Sequence, residues 1–403
     1  MNRLEPFRIA VPESRLRWIA DRVTAYPWHA IPDAGGWTAG ASVTFMRALA
    51  DYWQEAYDWR AEEARLNRHP QYLARIGGRT LHVLHLKGRG ERNTPLLLLH
   101  GWPGSIDEFS GLVDLLTSAD DPGHAFDLVI PSLPGFGFSG ALSAPIGPRA
   151  VAADMAALMR LLGYERYLAQ GGDWGAMIAT QLGIHDASTC IGIHLNMVVP
   201  GAAPESEEER AWAERAARVN AVEGGYSRLQ MTRPQSLSFA MADSPVGTAA
   251  WIAEKFASWS DLPRDAQGNP DLLARYSRDQ LLTNIMFYVA PDSFATSAWL
   301  YHGVFRHPED MPFAGGARCA VPTAIAAFPD PVFAPPPRSL AEKSYDVIRW
   351  TAMPRGGHFA AMEAPELLAA DIRAFADALA GRDQLESRAQ VPAVPPARST
   401  GSK

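Results

Sequence analysis

Cysteine is nearly absent from this chain: Cys190 and Cys319 are the only two among 403 residues. Two cysteines make no disulfide framework, and a reducing cytoplasm suits such a chain. Basic charge is not in surplus either. Lys and Arg number 37 against 44 Asp and Glu, a formal net charge of -7, and no basic stripe occurs. That argues against nucleic acid and anionic membrane as partners. No apolar run is long enough to span a bilayer, and the start, "MNRLEPFRIAVPESRLRW", has no signal core, so no membrane segment is expected. Internal repeats are missing, and the 11 histidines are scattered rather than grouped with metal-ligand spacing, so no metal is expected. What the chain does have is apolar bulk. A hydrophobic fraction of 47% against 20% charged residues can build a large core, in one big domain with additions or in two.

The first segment, residues 1–70, reads as helical and is rich in tryptophan. "SRLRWIADRV" and "ASVTFMRALADYWQEAYDWRAEEARLN" repeat apolar residues every three or four positions, around the Pro/Gly-rich loop "YPWHAIPDAGGW". "YLARIGGRTLHVLHLKG" then alternates about Gly77-Gly78, a β-hairpin pattern. Across 71–200, short apolar runs alternate with helical patterns. "PLLLLHGWPG", "FDLVIPSLPGFGFSG", "RYLAQGGDWG" and "CIGIHLNMV" read as strands, the first continuous enough to be buried on both faces. This implies a mostly parallel, doubly wound α/β sheet. Residues 201–305 lack strand runs and read as an inserted helical cap. Alternation resumes over 306–385 with "CAVPTAIAAFPD" and "YDVIRWTAMPRGGHF". The Pro- and Ala-rich end, 386–403, is expected to be a disordered tail.

The chemistry concentrates on three loops. "GGDWG" places Asp173 between Gly171 and Gly175, the spacing of a Gly-x-Ser-x-Gly nucleophile elbow. Read alone, such a motif is more often an aspartate capping a helix or a plain loop. In the elbow reading, the N–H of Trp174, at a helix N-terminus, points where an oxyanion would form. "HGWPGS" follows the first buried run, and the N–H of Trp102 would be a second oxyanion donor. His100 in that loop reads as structural. "RGGHF" follows the last strand run, which makes His358 the general base in the chain order nucleophile, acid, histidine. The acid belongs after the preceding strand, where "AAFPDP" offers Asp330. Its bland alternative is a plain Asp-Pro turn.

With these motifs together, the chain resembles the microsomal type of epoxide hydrolase, an α/β-hydrolase fold with its own N-terminal domain. "GWTAGASVTFMRALADYWQEAYDWRAEEARLNRHPQY", "HGWPGS", "GGDWG", "DSPVGTAAWIAEKF", "LLTNIMFYV" and "RGGHFAAMEAPELL" carry the likeness, from about residue 4 to about 382. It is also similar to juvenile-hormone epoxide hydrolases, without the membrane anchor of the animal members. The resemblance implies two cap tyrosines as proton donors, and Tyr226 and Tyr301 stand in the matching places. It implies no cofactor, a small apolar epoxide as substrate, such as a bacterial secondary metabolite, and leaves room for a homodimer. In one respect the chain departs from the family, whose acid usually lies where Pro331 stands. Asp330 is one residue early, so either the loop bends or the relay is weaker.

A carboxylate at the elbow suits attack on an epoxide. An epoxide has no carbonyl, so displacement by a serine would leave an ether that water cannot hydrolyse. An aspartate leaves an ester whose carbonyl belongs to the enzyme. Haloalkane dehalogenases use the same ester logic, and Trp174 would suit halide binding. The cap tyrosines and N-terminal domain argue for the epoxide instead. A catalytically dead receptor on the same fold is the rival of another class.

Overall fold

The computed structural model describes residues 3–91, 93–118 and 125–389, with side chains described to 382. Most of the expected tail lies outside the described residues. Nine strands form one sheet in the order β1-β2-β3-β5-β4-β6-β7-β8-β9. They are β1 (Arg3–Phe7), β2 (Gln71–Ile76), β3 (Arg79–Leu86), β4 (Asn93–Leu99), β5 (Ala125–Pro131), β6 (Tyr167–Gly171), β7 (Cys190–Leu195), β8 (Cys319–Ala327) and β9 (Tyr345–Ala352). From β5 to β9 every pairing is parallel, while β1, β2 and β3 add antiparallel pairings at one side. All four apolar runs of 71–200 are strands of this sheet. Leu96 to Leu99 are fully buried, because helices cover both faces of the parallel portion. Gly77 and Gly78, both at positive φ, turn the chain between β2 and β3.

The N-terminal segment is not helical throughout, as its sequence suggests. It opens with β1, paired antiparallel to β2. Pro6 and the charged Arg3 and Glu5 hide the strand from pattern reading, yet a proline is tolerated on an edge strand. Helices α1 (Glu13–Thr24), α2 (Val43–Glu55) and α3 (Trp59–Leu66) follow. The long second helical pattern breaks because Asp58 caps α3, accepting from the Arg60 and Ala61 amides at 2.8 and 3.1 Å.

Helices α4 (Ser110–Thr117), α5 (Pro148–Leu161) and α6 (Asp173–His185) connect the parallel strands. Between β7 and β8 the chain forms α7 (Glu207–Glu223), α8 (Gly225–Thr232), α9 (Pro234–Asp243), α10 (Pro245–Trp259), α11 (Arg278–Val289), α12 (Phe294–Ser297) and α13 (Trp299–Arg306). No strand of the sheet occurs there among the described residues. Then come α14 (Arg338–Glu342), α15 (Ala360–Glu363) and α16 (Pro365–Ala389), which reaches four residues into the expected tail. No helix among the described residues is long and apolar enough to cross a membrane.

Candidate active site

Asp173 follows β6 by two residues and opens α6, with φ at 49°. A non-glycine residue in this left-handed region is strained, and such strain persists where surrounding packing enforces it. Here the flanking glycines enforce it. A Cβ on Gly175 would lie 2.0 Å from the Leu99 carbonyl oxygen, and one on Gly171 would lie 2.3 Å from the Gly175 carbonyl. Only glycines let α6 start this close to β4 and β6, which turns the Asp173 carboxylate out at the carboxyl ends of the strands.

The Trp102 amide donates to Asp173 Oδ1 at 2.8 Å. The Trp174 amide lies next to Asp173 in the first turn of α6, where helix N–H groups have no carbonyl within the helix. His100 is structural in this geometry. Its Nε2 accepts from the Leu133 amide at 3.1 Å, so Nδ1 donates to the Gly101 carbonyl at 2.9 Å. Burial pushes its pKa down to about 4, which keeps the ring neutral.

His358 lies between two carboxylates. Its Nδ1 is 2.8 Å from Asp330 Oδ2, and its Nε2 is 3.5 Å from Asp173 Oδ2. Asp330, though one residue early, reaches the ring because the loop turns tightly after Pro331. The Val332 and Phe333 amides both donate to Asp330 Oδ1 at 2.8 Å, which leaves Oδ2 for the imidazole. Burial disfavours a charged His358, but the Asp330 charge, then the hydrogen bonds to Asp173 and Asp330, outweigh it and raise its pKa to about 10.

The cap closes over this group with aromatic rings. Tyr226, on α8, stacks on Trp102 with centroids 5.2 Å apart and planes 11° off parallel. Tyr301, on α13, meets Trp174 edge-on at 4.7 Å and Tyr226 at 5.9 Å. The two hydroxyls are close enough to affect each other's acidity, yet that of Tyr301 is buried with no hydrogen bond of ordinary geometry. Burial and the Asp173 charge hold Tyr226 neutral, and burial, Tyr226 and Asp173 do the same for Tyr301.

Several residues that position this site were not singled out from the sequence. Glu363, on α15, accepts from the amides of Gly357, Phe359 and Asp261 at 2.8 to 3.0 Å and so shapes the loop that carries His358. On α11, Asn284 donates to the Pro103 carbonyl at 2.8 Å and Tyr288 to the Gly104 carbonyl at 2.5 Å. These bonds fix the loop whose Trp102 amide faces Asp173. The signal was an i, i+4 pair, Asn284 and Tyr288, in the largely apolar "LLTNIMFYV". Lys255, buried on α10, lies 4.7 Å from the centre of the Tyr226 ring, a cation–π contact.

An elbow aspartate, a late histidine and an intervening acid on this sheet define an α/β-hydrolase with a carboxylate where serine enzymes keep their hydroxyl. Residues 94–218 match the alpha/beta hydrolase fold family, and residues 4–109 match the family described as epoxide hydrolase N terminus. The chain is 35% identical over 356 residues to juvenile hormone epoxide hydrolase 1 of Ctenocephalides felis, covering 83% of this chain and 77% of that protein. It is 31% identical over 406 residues to epoxide hydrolase 1 of Sus scrofa, covering 92% and 88%. The crystal structure of juvenile hormone epoxide hydrolase from the silkworm Bombyx mori superposes with a TM-score of 0.85 at 29% identity, covering 95% of this chain and 96% of that one. The protein belongs to the epoxide hydrolase family and is an enzyme of that class.

Proposed function

We propose that this enzyme opens a small apolar epoxide to a vicinal diol through an ester on Asp173. One observation carries the epoxide reading: the buried Tyr301 hydroxyl, held by no hydrogen bond of ordinary geometry, beside Tyr226 and over the elbow. Asp173 attacks an epoxide carbon, the C–O bond breaks, and the ring oxygen leaves as an alkoxide. Tyr226 and Tyr301 donate hydrogen bonds to that oxygen, and one of them gives it a proton. Esterification removes the Asp173 charge, so His358 holds its proton less tightly and restores the tyrosine's. Neutral His358 then takes a proton from water, which attacks the Asp173 carboxyl carbon. Asp330 holds the imidazole and stabilises its charged form, while the Trp102 and Trp174 amides stabilise the tetrahedral oxyanion. Collapse releases the diol, whose oxygen takes the proton from His358, and the acid left on Asp173 passes its own proton to His358, which restores the starting ion pair.

The aromatic walls supply the apolar surroundings such a substrate needs. A cleft of about 600 Å3, lined by Trp37, Ala257, Pro331 and Val332 and by the charged Arg218 and Glu254, is the approach we assign to the substrate. Two buried free thiols suit a cytoplasmic location.

His358→Gln tests the order of events. It should still be alkylated by styrene oxide but hydrolyse the ester slowly, so the intact mass rises by that of the epoxide. A folded variant without adduct would refute the ester route. Turnover of 1-haloalkanes with none of epoxides would favour dehalogenation.

A further inference from the structure

Beside Asp173 lies a small cavity of about 20 Å3, enough for one water molecule. Asp173, His358, Asn196 and Glu108 contribute to its walls, and no residue of the cap lines it. An ester formed on the cap side therefore leaves this chamber open to the face of Asp173 that His358 serves.

Glu108 enters the chamber by an unusual packing. It belongs to the short 3-10 turn Ile106–Phe109, four residues beyond Gly104. A Cβ on Gly104 would lie 1.3 Å from Glu108 Oε1, so the carboxyl occupies the space a side chain there would take. Glycine at 104 is thus a condition of Glu108's placement. Burial raises the Glu108 pKa to about 8; positive His358 opposes the rise and Asp173 adds to it. Glu108 is only half-buried and the Ser105 amide favours its charged form, yet in either form its carboxyl can accept a hydrogen bond. Its other side faces a polar outer groove of about 410 Å3, lined also by Arg65, Asp107, Asp279 and Ala361. Glu108 and Ala361 form the partition between groove and chamber.

We propose that Glu108 is the residue that holds the hydrolytic water against His358 and Asp173. Its carboxyl accepts a hydrogen bond from the water's second O–H while His358 takes the first. This fixes the oxygen lone pair toward the ester carbon and leaves the proton balance of the ester route unchanged. The inference rests on that route.

The test separates the two half-reactions in Glu108→Leu and Glu108→Gln, with styrene oxide as probe. Alkylation is followed by rapid tryptophan fluorescence and ester by quenched intact mass. In Glu108→Leu, alkylation should stay within about threefold and ester hydrolysis fall by about thirtyfold or more, with adduct accumulating. Glu108→Gln, which keeps a hydrogen-bond acceptor, should recover hydrolysis to within about fivefold of native. Native hydrolysis in Glu108→Leu, equal losses in both half-reactions, or a glutamine variant as slow as the leucine one would overturn the proposal. If Glu108→Leu does not fold, a high-resolution crystal structure of the native enzyme decides. A water within about 3 Å of both the Glu108 carboxyl and His358 Nε2 is expected, and its absence would refute the assignment. Failure of the ester route itself would show separately, as no adduct in His358→Gln.

Discussion

In the proposed route, Asp173 and His358 attract each other only until the ester forms, and the pH behaviour of the enzyme should record that change. In the free enzyme, His358 is raised from 6.5 to about 10. The stability this gives is complete below pH 6.5 and is lost as pH rises through about 10. The melting-temperature gap between native enzyme and His358→Gln should therefore narrow across that window. In the alkyl-enzyme the Asp173 charge is gone, so ester hydrolysis should fall at low pH with an apparent pKa well below that of the free enzyme. Asp330→Asn keeps the turn's shape but removes the charge. It should slow ester hydrolysis by roughly 10² to 10⁴ while sparing alkylation, both read in single turnovers. Tyr226→Phe or Tyr301→Phe should do the reverse, slowing alkylation by roughly ten- to a thousandfold. Unchanged alkylation in both would remove the reason for assigning those hydroxyls to the epoxide oxygen.

At the scale of elements, the site depends on helices that do no chemistry. Through Asn284 and Tyr288, α11 holds the loop that aims the Trp102 amide. Tyr288→Phe leaves the buried Gly104 carbonyl without this partner and should destabilise the fold by about 1–3 kcal/mol in denaturant titration. It should also slow ester hydrolysis, because the Trp102 amide, the proposed oxyanion donor, sits on the same loop. The sequence points to Asp173 and His358 and to the strands before them because each follows a strand pattern on a Gly-rich turn. It does not disclose the tight turn that brings Asp330 to His358, since that depends on where the Val332 and Phe333 amides point. Glu363 and Glu108 are likewise silent, and the pair on α11 shows only as two polar residues four apart, with no sign of the loop they hold. Each acts on a loop or chamber reached only after folding, and a lone glutamate in a helical pattern reads as surface. Strand β1 escapes because it is short, charged and interrupted by Pro6, all features of a protected edge.

At the scale of the whole molecule, the N-terminal segment fastens the cap to the sheet. Tyr52 donates to Asp279 at 2.9 Å, Tyr57 and Thr283 are bonded at 3.1 Å, and Arg15 reaches the Val289 carbonyl at 2.5 Å, all at α11. The same segment buries Ile19, Val23, Leu49 and Trp53 in the common core. Removing residues 1–66 should therefore abolish cooperative thermal unfolding and expose apolar surface to a hydrophobic dye; a truncated chain that melts like the native one would contradict this. The central claim concerns the origin of one oxygen atom. A single turnover with enzyme in excess over epoxide, in water enriched in heavy oxygen, tests it most directly. The account predicts a first-turnover diol of ordinary mass, its new oxygen drawn from Asp173, and heavy oxygen in the peptide that carries Asp173. Heavy oxygen in the first-turnover diol, with that peptide unlabelled, would mean that water attacks the epoxide directly and that no ester forms.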